Sequence, residues 1–259
     1  MLKLYSNNQE IEFKTTIFPD KTSQVWQVEN THGYDLSKLR VLWLFEGEHE
    51  LPQLLQLVYL LRSLHGSRIE LHAPYLPYAR QDKAVSNDST WALHLLDKMI
   101  REAGVAKVRV FDQHSPCFFE SESAEKFHKS VINHDLICFP DKGARQRYPH
   151  LQASPHGSRY IWCEKVRDQL TGAITGLNLH AMGHQLRGAR VCIVDDICDG
   201  GRTFIEVAAK LRDERVAAID LVVSHGLFSQ GKGVLHNAGI DTIYTTNSLL
   251  HNTDSFKVW

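Results

Sequence analysis

Short apolar runs separated by polar, glycine- and proline-bearing stretches recur along the chain, and their length and spacing sort them into strands and helices. Val41 to Phe45 reads as a buried strand, Leu51 to Leu64 as a helix, and Arg68 to Ala73 as the next strand. A helix from about Thr90 to Ala103 follows, with Trp91, Leu95, Met99 and Ile100 on its apolar side, and then a strand from Val108 to Phe111. The second half repeats the rhythm. Strands are expected at Leu136 to Phe139, Arg159 to Trp162, Val191 to Val194 and Ala217 to Ser224, with a helix through Ala208, Ala209 and Leu211. Strand, helix, strand in this order predicts parallel βαβ units and an α/β fold. Two stretches stand apart. Ile11 to Val28 alternates as a hairpin around Phe18-Pro19-Asp20-Lys21, and the polar, glycine-bearing sequence after Arg167, as far as Asn178, reads as a long irregular loop of the kind that serves as a lid.

Composition changes this picture little. At 259 residues and 43% hydrophobic the chain can build one large domain or two of ordinary size, and a net charge of −1 gives no footprint for nucleic acid. The amino terminus, Met1 to Glu12, is polar and has no basic-then-apolar signal pattern, and Leu51 to Leu64 is interrupted by Gln53, Gln56 and Arg62 and too short to span a bilayer. A cytoplasmic protein without a membrane partner is the expectation. The five cysteines are odd in number, lack a Cys-x-x-Cys pair and read as reduced thiols.

The densest chemistry lies in Val191-Cys192-Ile193-Val194-Asp195-Asp196-Ile197-Cys198-Asp199-Gly200-Gly201-Arg202-Thr203-Phe204. An apolar strand runs into an acidic loop, and a glycine pair opens a helix. At the carboxyl end of a parallel strand such a turn aims carboxylates and backbone N–H groups into one crevice, where acids suit ribose hydroxyls or Mg²⁺ and glycines let a phosphate approach. An adjacent Asp pair alone reads equally well as helix capping. His180 and His184, four apart, lack a third ligand and read as structural.

The whole string resembles the ribose-phosphate loop of the phosphoribosyltransferase superfamily, matched at Asp195, Asp196, Asp199 and Thr203. Upstream, Ala73-Pro74-Tyr75-Leu76-Pro77-Tyr78-Ala79-Arg80-Gln81-Asp82-Lys83 resembles the signature of the ribose-phosphate diphosphokinases, and Ser224-His225-Gly226-Leu227-Phe228-Ser229 resembles a further segment of that family. The resemblance spans nearly the whole chain. It implies two phosphoribosyltransferase-like domains of type I, at residues 1–130 and 131–259, each a mainly parallel sheet flanked by helices. It implies ATP contacts at Phe18, Asp20, Arg80, Gln81, Asp82 and His114, with Mg²⁺ held at His114 and Asp141. Thr22 stands where the family usually has Glu. Lys165 and Arg167 match the family's Lys-x-Arg, whose role is to stabilise the charge of the transferring group, and Asp195, Asp196, Asp199, Gly200, Gly201, Arg202 and Thr203 form the ribose-phosphate site.

The implied reaction transfers diphosphate from MgATP to the anomeric hydroxyl of ribose 5-phosphate or a 5′-substituted ribose, releasing AMP. No Gly-x-x-x-x-Gly-Lys-[Ser/Thr] is present, so a P-loop does not hold the ATP. In the phosphate loop a Thr is lost and Arg202 gained. An Arg there suits a larger anion such as the diphosphate of ADP-ribose, or simply points outward from the first helical turn. A phosphoribosyltransferase and a non-catalytic regulatory homologue are the other readings, and a homo-oligomer, dimer or hexamer, is implied by the resemblance.

Overall fold

The computed structural model describes residues 1–26, 32–116, 119–152, 159–167, 174–249 and 256–258, with the side chains of 165–167 and 174–175 outside that description. The chain divides into two compact units, one built on Met1–Ser123 and one on Ala124–Asn247.

The first unit runs β1 (Leu2–Ser6), β2 (Gln9–Ile11), β3 (Lys14–Ile17), β4 (Ser23–Trp26), β5 (Lys38–Trp43), α1 (Glu50–His65), β6 (Arg68–Ala73), α2 (Ala92–Ala103), β7 (Val105–Phe111) and β8 (Glu120–Glu122). Its main sheet has the order β2-β1-β5-β6-β7-β8, parallel from β5 to β8 and antiparallel at β1 and β2. The polar N-terminal stretch thus supplies two strands, whose apolar anchors in the core are Leu4 and Ile11, with Ser6 buried beside them and the rest of the stretch partly or fully exposed. Period-two alternation explains the sheet. Leu39, Val41, Trp43, Ile69, Leu71 and Val108 pack on Leu54, Leu57, Leu61, Leu93 and Ile100 of α1 and α2, and the residues between them are mostly charged. β3 and β4 form a separate ribbon tied to α1, where Gln56 accepts from the Val25 N–H and donates to the Ser23 carbonyl.

The second unit runs α3 (Glu125–Val131), β9 (Leu136–Phe139), α4 (Lys142–Arg147), β10 (Tyr160–Arg167), β11 (Ile174–His180), β12 (Arg190–Cys198), α5 (Arg202–Asp213), β13 (Ala218–Gly226), α6 (Gly233–Asn237) and β14 (Thr242–Tyr244). The sheet order is β11-β10-β9-β12-β13-β14, with every neighbouring pair parallel except β10 and β11. From β9 the chain steps to one side, into β10, and from β12 it steps to the other, into β13. Strand order therefore reverses between β9 and β12, and open α/β sheets take ligands in the crevice beyond the strand ends at such a point. Val191 to Val194 are all buried, as is β13 from Ile219 to Gly226, so both faces of the sheet centre are covered.

Two sequence expectations are corrected here. Part of the expected irregular lid is strand β11, paired antiparallel to β10 through Trp162↔His180, Cys163↔Leu179 and Lys165↔Leu177. Thr and Gly dilute its hydrophobic signal, so the sequence does not display it. His180 consequently lies on a strand, with its ring stacked on Trp162 at 4.2 Å between centroids, a structural placement. Strand β12 also continues through Asp195 and Asp196 to Cys198, because its pairing with β13 persists to Cys198↔Gly226. No helix among the described residues is long and apolar enough to cross a membrane.

Candidate active site

In the second unit the carboxyl ends of β9 and β12 carry the acids. Asp141 directly follows the turn after β9 and caps α4, its Oδ1 accepting from the Ala144 N–H at 3.0 Å. Six residues on, at the far end of that one-and-a-half-turn helix, Arg147 returns toward β12. Its Nη1 donates to Asp195 Oδ1 at 2.9 Å and to Asp196 Oδ1 at 2.6 Å. The Asp196 side chain is 2% exposed and that of Asp195 16%, so two carboxylates meet one guanidinium nearly out of water. Burial pushes the Asp195 carboxyl well above the usual range, adjacent Asp196 adds to this, Arg147 opposes it, and Asp141 is close enough to raise it further. The acids and the cation together form a site poised for another positive or hydrogen-bonding partner.

Beyond the acids the backbone sets the shape. Gly201 sits at φ +81°, and a Cβ there would lie 2.7 Å from Leu235 Cδ2, so glycine is required twice over. Gly200 is less confined, its nearest side-chain atoms being Gln230 Cγ at 3.6 Å and Ser229 Oγ at 3.8 Å. α5 then begins at Arg202 with no side-chain cap, a helix start that suits a phosphate. The Leu227 and Phe228 N–H groups both donate to the Cys198 carbonyl, at 2.8 and 3.1 Å, which fastens the loop after β13 to the loop after β12. Phe228 holds φ +49°, unusual for an aromatic residue. Thr203 is half-buried in the first turn of α5, whereas the Arg202 side chain is 88% exposed and its Nε donates to Glu206 Oε1 at 2.9 Å. Burial, Asp199 and Asp195 hold the Cys198 thiol at about 12, so it stays protonated and offers no nucleophile.

In the first unit the residues expected to meet ATP follow β6 and β7. The Phe111 N–H donates to the Pro74 carbonyl at 3.3 Å, joining the two strand ends. Past Pro74 the chain turns through Tyr78 at φ +62°, whose hydroxyl donates to Glu48 at 2.9 Å. Gln81 donates its N–H to the Tyr78 carbonyl and accepts at its own carbonyl from the Leu93 N–H, which binds the turn to the start of α2. Arg80 and Gln81 are exposed and Asp82 is half-buried. After β7, Asp112 at φ +41° donates its N–H to the Glu122 carbonyl, Gln113 donates to Ser121 Oγ, and half-buried His114 follows. Phe18 and Asp20 form the ribbon turn. Asp20 Oδ1 accepts from both the Thr22 N–H at 3.0 Å and the Thr22 hydroxyl at 2.7 Å, which lowers its pKa. Thr22 thus braces Asp20.

The structure brings Asp195, Asp196 and Arg147 together, with Asp141 close by and Asp199, Gly200, Gly201 and Thr203 on the loop that follows. Arg147 is not among the residues that the sequence singles out; it reaches the acids only because the helix that Asp141 caps returns over β12. Lys165 and Arg167 lie on β10, where their backbones pair with Leu177 and Ile174, and their side chains are outside the described residues. Carboxylate oxygens at the edge of β9 and β12 are the hard donors Mg²⁺ takes, a few from protein and the rest from water and substrate. Among the described residues no cluster of three or more His, Cys, Asp or Glu groups forms a ready cage.

Residues 159–256 match the model of the phosphoribosyl transferase domain. The chain is 26% identical over 267 residues to the ribose-phosphate pyrophosphokinase of Sulfolobus acidocaldarius, covering 98% of this chain and 90% of that protein. It is 25% identical to the enzyme of the same name from Thermococcus kodakarensis, with 93% and 86% covered. The crystal structure of phosphoribosylpyrophosphate synthetase from Mycobacterium smegmatis superposes with a TM-score of 0.76 at 21% identity, over 94% of this chain and 83% of that one.

Proposed function

We propose that this chain, which is similar over nearly its whole length to ribose-phosphate pyrophosphokinases, is an ATP-dependent diphosphotransferase whose acceptor is ribose 5-phosphate, taken in the crevice beyond β9 and β12. The observation that carries this is the acidic loop at the strand-order reversal, with Asp195 and Asp196 drawn to Arg147 and the glycine turn opening α5 immediately after. The loop residues divide the sugar between them. Asp195, Asp196 and Asp199 take its hydroxyls, while the N–H groups from Gly200 to Thr203 and the Thr203 hydroxyl cradle the 5-phosphate. Phosphoryl-type transfer asks mainly for alignment and charge neutralisation, and Lys165 and Arg167 supply the latter. Arg80, Gln81, Asp82, Phe18 and Asp20 hold ATP, and the two units are separate domains with ATP motifs on one and the sugar loop on the other.

His114 in the first unit and Asp141 in the second are each a candidate ligand for Mg²⁺, which would supply Lewis-acid neutralisation of the transferring phosphates. The anomeric hydroxyl attacks the β-phosphorus of ATP, the bond from that phosphorus to the α–β bridging oxygen breaks, and AMP leaves. Asp195, whose carboxyl burial holds above the usual range, is suited to orient that hydroxyl, accept its hydrogen bond and take the proton it loses.

Ribose 5-phosphate is preferred over ADP-ribose because the guanidinium of Arg202 is engaged by Glu206 and exposed. Product analysis with MgATP, offering each acceptor separately, tests this. AMP with ribose 5-phosphate supports the proposal, and AMP confined to ADP-ribose reassigns the acceptor and makes Arg202 its determinant. A dimer or hexamer is the expected assembly, and light scattering reads it directly.

A further inference from the structure

The main sheet of the first unit has a face that α1 and α2 do not cover. Its side chains come from alternate positions in register, giving one row Tyr5, Arg40, Glu70, Lys107 and the next Leu42, His72, Arg109, Glu120. Two cavities of about 330 and 370 Å³ lie on it and share Arg40, His72 and Arg109. They differ in chemistry. The first adds Tyr5, Leu42, Pro74, Phe111 and Val258, while the second adds Lys38, Arg68 and Glu70. Among the described residues lining the pair, Lys38, Arg40, Arg68 and Arg109 stand against two carboxylates, Glu70 and Glu122.

His72 points to a missing partner. Among the described residues its Nε2 is buried with no hydrogen-bond partner, and the Glu70 carboxylate oxygen Oε2 is 3.9 Å away. A buried polar atom left without a partner is costly, and bound ligands are one way proteins meet that cost. Burial first, then Arg40 and Arg109, push the imidazole down to about 4, so it is neutral and can donate one N–H. Glu120 already binds Lys107 at 2.8 Å and lies 3.9 Å from Arg109, so it is not free to neutralise Arg40 or Arg68. Arg40 stands over the Tyr5 ring at 4.8 Å, fixed for planar recognition of an oxyanion.

We propose that this face binds a small organic phosphate, its phosphoryl oxygens on Arg40, Arg68, Arg109 and His72 Nε2 and its flat or apolar body between Tyr5, Leu42 and Phe111. A single anion without a body would use one cavity, and a neutral ring would leave the cations unused. The joint cavity matches both parts. This site is independent of the reaction proposed above.

The test is calorimetric titration of the full chain with phenyl phosphate, inorganic phosphate and phenol. Phenyl phosphate is expected to bind saturably, inorganic phosphate about tenfold more weakly, and phenol not detectably. The double substitution Arg40→Gln and Arg109→Gln should weaken phenyl phosphate by about tenfold or more, while Thr203→Val on the sugar-phosphate loop should leave it unchanged. Tyr5→Leu, which keeps every charge, should weaken phenyl phosphate and spare inorganic phosphate. Equal affinity for phenyl and inorganic phosphate overturns the proposal. So does retained binding in the folded double variant, binding lost on Thr203→Val alone, or no saturable binding at all.

Discussion

In β5, β6 and β7 every second side chain is apolar and the ones between are mostly charged, whereas β9, β12 and β13 are buried at nearly consecutive positions. Both sheets arise from the same strand–helix–strand rhythm. One is finished on a single face and keeps the other for ionic partners. The other is closed on both faces at its centre and exposes chemistry only where its strands end, at the reversal between β9 and β12. A parallel sheet thus has two places to put polar function, across a face or at an edge, and this chain uses one in each unit.

The contrast can be broken most sharply at the arginines. Arg147→Ala leaves Asp195 and Asp196 facing each other in a buried site, and is expected to cost about 3–5 kcal/mol with loss of AMP formation. Arg109→Ala, at 50% side-chain exposure, should cost well under about 1 kcal/mol. Urea unfolding of the two variants compares them directly, and a larger loss at Arg109 would erase the distinction between edge and face. Next come truncations on opposite faces of β12. Ile193→Ala and Val194→Ala should each cost about 2–4 kcal/mol because both are fully buried, whereas in β5 Val41→Ala should cost about 2 kcal/mol and its neighbour Arg40→Ala about 0.5–1 kcal/mol. Gly201→Ala should cost about 1–3 kcal/mol and disable the loop, with Gly200→Ala milder, from the φ and the Leu235 contact. The smallest effect has the opposite sign. An ionised Asp195 is held against its environment, so its raised pKa favours the folded state as pH falls through that pKa and penalises it above. Asp195→Asn should therefore raise the melting temperature near neutral pH by about 2–4 °C while removing activity, and should flatten the rise in stability on acidification.

Much of this is legible in the amino-acid sequence. The consecutive apolar runs at Leu136–Phe139 and Val191–Val194 announce fully buried strands, and the carboxylates after them mark the edge where a ligand meets the sheet. Half-buried strands speak more quietly. β1 places only Leu4 and Ser6 fully inside, so a polar terminus conceals a strand, and β11 hides among Thr, Gly and Asn because an antiparallel edge needs few apolar residues. Arg147 was missed for a different reason: its meaning depends on the turn that Asp141 caps, which swings one helix end back over β12, and no spacing rule encodes that return. The charged face escaped notice because Arg40, His72 and Arg109 are 32 and 37 residues apart in sequence and are brought into adjacent rows only by parallel register.

The Cys198 carbonyl that accepts from both Leu227 and Phe228 has a kinetic meaning. A loop held only by its ligand would open whenever the site empties, and its amide protons would trade with solvent on that schedule. Here those two amides are bonded to the last residue of a central strand, so their hydrogen exchange should follow opening of β12 and β13 themselves. The loop after β12 then keeps one shape whether or not the crevice is filled, and the memory of that shape resides in the sheet.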